Sequence, residues 1–111
     1  MYQVSFQNIE LNFFHDTKFE TRFSFDQQPL PTIEKKYIEF LYHPDSEIDT
    51  QRLLKVTCID GSPNVLAFAV FSIKDFLHSR TKHFAHLCDP IDRTLTVGNI
   101  QFYCNMIPVE R

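Results

Sequence analysis

Apolar and polar residues alternate with a period of two along most of this chain, and the phase of that alternation marks out strands. In "YQVSFQNIEL", Val4 and Phe6 alternate with Gln3, Ser5 and Gln7, and Ile9 and Leu11 then resume the pattern one position out of phase. That slip predicts a bulged strand. In "KFETRFSFD", Phe19, Thr21, Phe23 and Phe25 share one face and Glu20, Arg22 and Ser24 the other, which predicts a half-buried strand. "QQPLPT" reads as a loop, because two closely spaced prolines interrupt regular pairing. "KKYIEFLYH" predicts a strand with Ile38, Phe40 and Tyr42 on one face, followed by the polar turn segment "HPDSEIDTQ". In "RLLKVTCID", Leu54, Val56 and Cys58 share a face while Lys55 and Thr57 point away. "NVLAFAVFSI" is almost continuously apolar, which predicts a strand covered on both sides or by a neighbouring loop. "KDFLHSRTKHF" is a short-helix candidate, and in "TVGNIQFYCNMI" Ile100, Phe102, Cys104 and Met106 alternate once more. With seven or eight short strands and no long amphipathic helix, the expected fold is all-β: an antiparallel eight-stranded β-sandwich with at most one short helix.

Composition narrows the function classes. A chain of 111 residues with 43% apolar content suits one domain, residues 1–111, with a core of its own, and we expect it to be part of a larger protein. Twelve phenylalanines, no tryptophan and two glycines predict a core of large flat rings. A net charge of −3 offers no general attraction for phosphates, so no nucleic-acid partner is expected. Cys58, Cys88 and Cys104 are an odd, widely spaced set, unlike a secreted disulfide framework, and point to a reducing, cytoplasmic setting. The opening "MYQVSFQNIELN" is neither a signal nor a transit peptide, and no apolar run reaches the length of a bilayer span.

The order of pieces in "LLKVTCIDGSPNVLAFAVFSIKDFL", a strand ending in an acid, a loop, an apolar strand and a short Asp-Phe-Leu tail, resembles the C2 domain. Leu54, Val56, Cys58 and Asp60 fit the first strand, and Phe71 to Phe76 the second. "HDTKFETRFSF", with Asp16, "HLCDP" and "VGNIQFYCNMIP" resemble further strands of that family, so the likeness spans nearly the whole chain. The same strand spacing also fits an immunoglobulin-like order. Calcium takes six to eight oxygen ligands, several of them carboxylates. The resemblance supplies only Asp16 and Asp60 at the family's acidic positions, with Ser62 and Asn64 beside them. It therefore implies a calcium-independent member with no metal and no cofactor, in which Asp60 caps a turn.

Other chemistry finds little footing in the sequence. "HFAHLC" offers His83, His86 and Cys88, but structural zinc sites combine two such short clusters. Cys58 and Cys104 fall on core-facing phases, as inert apolar residues do, and Gly61 and Gly98 stand too far apart for a phosphate loop. No enzymatic activity is expected. Surface binding remains, in two forms. C2 domains of scaffold proteins, centrosomal and ciliary ones among them, resemble this chain in lacking the acidic cluster, which implies a protein partner and a cytoplasmic, cytoskeleton-associated setting. The alternative is anionic phospholipid, held by Lys35, Lys36 and Lys55, with Arg52 beside them, and by Phe13 and Phe14 at a loop tip. Glu34 and Glu39 dilute that charge, so an ordinary solvated face accounts for the lysines, and apolar plugs at the end of a sandwich account for the two phenylalanines.

Overall fold

The alternation becomes register in the structure, a computed structural model that describes residues 1–14, 18–31, 35–60, 64–77 and 82–109. Among these residues are eight strands: β1 (Tyr2–Phe13), β2 (Glu20–Phe25), β3 (Gln28–Pro29), β4 (Ile38–Tyr42), β5 (Leu53–Ile59), β6 (Val65–Ser72), β7 (Lys82–Cys88) and β8 (Thr96–Pro108). A short 3-10 helix spans Ile73–Phe76. The strands pair antiparallel throughout, in the order β3-β2-β5-β6-β7-β8-β1-β4, as one continuous sheet.

Three local features follow directly from the sequence. The bulge in β1 lies between Gln7 and Glu10, where Asn8 takes a φ of 52° and Ile9 is returned to the core. Phe23 and Phe25 of β2, Ile38 and Tyr42 of β4, and Leu54, Val56 and Cys58 of β5 are all buried on their predicted faces. The end of β8 alternates as read, with Ile100, Phe102, Cys104 and Met106 inward.

Three others depart from it. The proline segment is not all loop: Asp26 and Gln27 both adopt positive φ (48° and 68°), the backbone of a primed two-residue hairpin turn, so Gln28 and Pro29 pair with Phe25 and Ser24. Pro29 is tolerated because β3 is the outermost strand, where its missing N–H breaks no ladder. The apolar run of β6 is covered unevenly: Ala67 and Ala69 are buried, Phe68 is half-buried with Arg93 of the β7–β8 connection over its ring, and Val65 and Val70 are exposed. Among the described residues the helix candidate holds a 3-10 turn, its later part from Lys82 is strand β7, and residues 78–81 between them lie outside the described residues.

The sheet curls on itself as a half-barrel, and aromatic rings fill the concave side. Phe6 on β1 is fully buried, with ring centroids 6.0 Å from Phe23 and Phe25 on β2 and 5.1 Å from Phe102 on β8. Phe25 lies 4.9 Å from Phe40 and 4.8 Å from Tyr42, so β2 and β4, near opposite ends of the strand order, meet across the core. Edge-to-face geometry dominates these contacts, the arrangement that ring quadrupoles favour.

Candidate functional site

Curling the sheet sends every second side chain of β8, β1 and β4 outward, and register decides which of them become neighbours. Tyr103 stands opposite Gln7, Asn105 opposite Ser5 opposite Glu39, and Ile107 opposite Gln3 opposite Leu41. Tyr37 precedes β4 on the same side. Leu41 is 51% exposed, and Tyr37, Tyr103 and Ile107 are exposed with it. Gln3 and Tyr37 both donate hydrogen bonds to the Glu39 carboxylate, which ties the outer face together and raises the Tyr37 hydroxyl above its ordinary pKa. The result is a broad face of aromatic and aliphatic groups set among amides, with one carboxylate already engaged. β4 ends the strand order beside it.

A second exposed region lies at one end of the molecule, where β1, β5 and β7 finish and β2, β6 and β8 begin. Phe14 is 56% exposed there and its N–H donates to Val97. Phe13 is half-buried, with its ring 5.3 Å from Phe19. Between β7 and β8, Asp89 accepts hydrogen bonds from the N–H groups of Ile91 and Asp92, and Asp92 accepts from Thr94. These bonds shape a tight turn that presents Ile91, 96% exposed, at its apex, with Leu95 exposed at its base. The Asp60 N–H donates to the Asn64 carbonyl across the β5–β6 connection. Asp16 and Glu34 lie outside the described residues. Among the described residues, no three of the His, Cys, Asp and Glu side chains gather as ion ligands.

The three lysines come from two places in the chain, β5 and the turn before β4. Lys55 projects from β5 between Ser24 and Val70. Lys35 and Lys36 turn into β4 with positive φ, and the Lys36 carbonyl accepts from Ile9. Lys55 thus has β2 and β6 for neighbours, and Lys35 and Lys36 have β1.

Arg52 is committed elsewhere. Its guanidinium bonds Asp26 at 2.6 Å and Asp45 at 2.7 Å, and also Ser46 and the Tyr42 hydroxyl. Tyr42 in turn donates to Asp26 at 2.6 Å. This latch ties the β2–β3 turn to β4 and to the β4–β5 connection, where the two ends of the curled sheet meet, beside an open polar cleft of about 610 Å³. Burial, with the bond to Asp26, pushes the Tyr42 hydroxyl up to about 12, and Arg52 holds the Asp45 carboxyl below its usual range. Arg52→Leu should lower the melting temperature by more than Asp45→Asn, because it leaves the largely buried Asp26 carboxylate with Tyr42 as its one side-chain partner and no cation among the described residues, while Asp45 stays in water. Paired thermal melts check the order.

His83, His86 and Cys88 do not converge. His83 faces inward, its ring 4.7 Å from Phe76 and 5.8 Å from Phe102, while His86 points outward. Burial of Cys58 and Cys104 raises their thiols to about 11 and about 12, far from a reactive thiolate. The His83 Nε2 is buried without a hydrogen-bond partner among the described residues. Burial lowers its pKa below the ordinary 6.5, against a smaller opposing pull from Asp75. The folded state therefore binds this proton less readily than the unfolded state. Stability complete above pH 6.5 should decline as pH falls below it, until the folded imidazole also protonates. Urea titrations across that window should show the slope, and His83→Phe should flatten it.

Comparison of the chain with protein-family models, curated proteins and solved structures finds no match.

Proposed function

We propose that this chain is a non-catalytic protein-interaction module of C2-like design that works without calcium in a cytoplasmic scaffold. The sandwich reading draws support from the strand order. β3-β2-β5-β6 and β7-β8-β1-β4 are two four-stranded groups joined by the single residue pair Phe68 and Cys88, the plan of two layers facing one another across a core. The observation that carries the function is the outer face of β8, β1 and β4. Tyrosines and aliphatic groups among Gln and Asn give contact area at low entropy cost with adaptable hydrogen bonding, a composition suited to protein surfaces. The scaffold setting, with its cytoskeletal, centrosomal or ciliary associations, rests on the resemblance alone.

The test compares proteins crosslinked to the wild-type domain with those crosslinked to Leu41→Lys/Tyr103→Lys and to Arg22→Glu, a charge change at an exposed position of β2. Partners lost from the first variant and kept by the second are the expected result. Equal loss from both, or from neither, would contradict a role for this face.

A second reading, calcium-independent phospholipid binding, is favoured by one observation: Phe14, Ile91 and Leu95 are exposed on loops at the same end of the molecule. Asp60, Asp89 and Asp92 lie at that end too, and they oppose an anionic membrane.

A further inference from the structure

β6 and β7 are neighbours in the sheet, yet Phe68 opposite Cys88 is their one pairing. Beyond it β6 continues to Ser72 paired to β5 alone, and β7 runs back to Lys82 paired to β8 alone. A strand with one partner turns the N–H and C=O groups of every second residue to its unpaired side. Residues 69–72 and 82–87 therefore face one another across a seam where, among the described residues, neither strand has a backbone partner.

The inner side of this seam is closed. Phe76 packs on His83 at 4.7 Å, and Phe71 on Phe102 at 5.0 Å, so aromatic rings line it from within. Its outer rim is apolar and exposed: Val70 on β6, and Phe84 on β7 at 52%. The charges on the strands themselves are basic, with Asp75 of the 3-10 helix near His83. Neither β6 nor β7 contains an acidic residue, Lys82 opens β7, and Lys55 stands beside Val70. Natural sheets usually cover such an edge or break it with proline or a bulge, and β7 shows neither device along 82–87.

We propose that this seam is a strand-addition site. An extended segment of a partner protein, alternating apolar with acidic residues, hydrogen-bonds along the β7 edge. Its apolar side chains cover Val70 and Phe84, and its carboxylates meet Lys55 and Lys82. This inference rests on the protein-interaction reading and names the chemistry of the partner.

The probe is a fluorescent, acetylated peptide of alternating valine and glutamate, matched in length to the free edge 82–87, titrated against the whole domain, with backbone amide exchange followed in parallel. The expected result is saturable binding that protects amides within 82–87. Affinity should fall at least about tenfold for Phe84→Lys or for an alternating valine–lysine peptide. Methylating every second peptide nitrogen should abolish binding. Circular dichroism of Phe84→Lys verifies that the variant, changed at an exposed site, is folded. No saturable binding, indifference to N-methylation, or protection at Ile38–Tyr42 instead would overturn the proposal. If the seam fails while Leu41→Lys/Tyr103→Lys still loses its partners, the strand-addition site alone falls; if both fail, the protein-interaction reading falls with it.

Discussion

Phe6→Ala should destabilise the domain by about 3–5 kcal/mol, a large part of the total stability of a domain of this size. Phe6 is fully buried, and its ring centroid lies within 6.1 Å of those of Phe23, Phe25, Phe40, Phe76 and Phe102. Those five rings come from β2, β4, the 3-10 helix and β8, so one side chain holds both halves of the curled sheet. Truncation opens a cavity that no single neighbour can fill, since each ring is pinned by others: Phe25 by Phe40 and Tyr42, and Phe102 by Phe71 and Phe76. Phe6→Leu keeps most of the volume and should cost less, about 1–2 kcal/mol. Urea denaturation of both variants measures the difference. Equal, small losses from the two would show that the ring cluster is not the centre of stability.

Gly98→Val is the second large effect. Gly98 sits on β8 between Leu87 of β7 and Phe13 of β1, and a Cβ there would lie 2.4 Å from the Asn12 carbonyl oxygen, 3.1 Å from Leu87 Cδ1 and 3.2 Å from Phe13 Cα. The nearest of these is backbone and cannot swing aside, so β1 must move from β8 at the end of their ladder. A cost of about 3 kcal/mol or more is expected, most of it already present in Gly98→Ala because the first carbon makes the clash. If Gly98→Ala melts at the wild-type temperature, the close approach of β1 and β8 at this point is wrong. Exposure of Phe13 and Phe14 should accompany the loss, because the displaced strand carries both.

Much of the fold was legible because burial on one face leaves a period-two trace. β2, β4, β5 and β8 bury most of the residues their alternation indicated, with Thr21 and Phe40 half-buried and Phe19, ahead of β2, exposed, and the phase slip between Phe6 and Ile9 marked the bulge. β6 misled because apolar residues on its outer face read like buried ones: Val65 and Val70 face solvent. β3 was hidden because two positive φ values at Asp26 and Gln27, neither of them glycine, close a hairpin that the prolines appeared to forbid. Of the residues singled out for binding, Phe14 is exposed at the tip, whereas Lys35 and Lys36 are separated in the strand order from Lys55, and Arg52 is held by Asp26 and Asp45. Those outcomes depend on which strands neighbour one another, a long-range property that local pattern does not carry. The outer face of Tyr37, Leu41, Tyr103 and Ile107 was missed for the same reason. Its members come from β4, β8 and the turn before β4, brought together by pairing with β1 in between. The signal was present as the apolar residues that fell off-phase in otherwise clean strands.

The choice between a protein surface and a membrane surface as the partner is settled most directly by flotation of the purified domain with vesicles containing anionic lipid, once with calcium and once with a chelator. The domain is predicted to stay at the bottom of the gradient in both conditions, its exposed tip outweighed by the carboxylates around it. Flotation in either condition would contradict the account: with calcium alone it would require ion ligands beyond Asp60, Asp89 and Asp92, and in both conditions it would transfer the function to Phe14, Ile91 and Leu95.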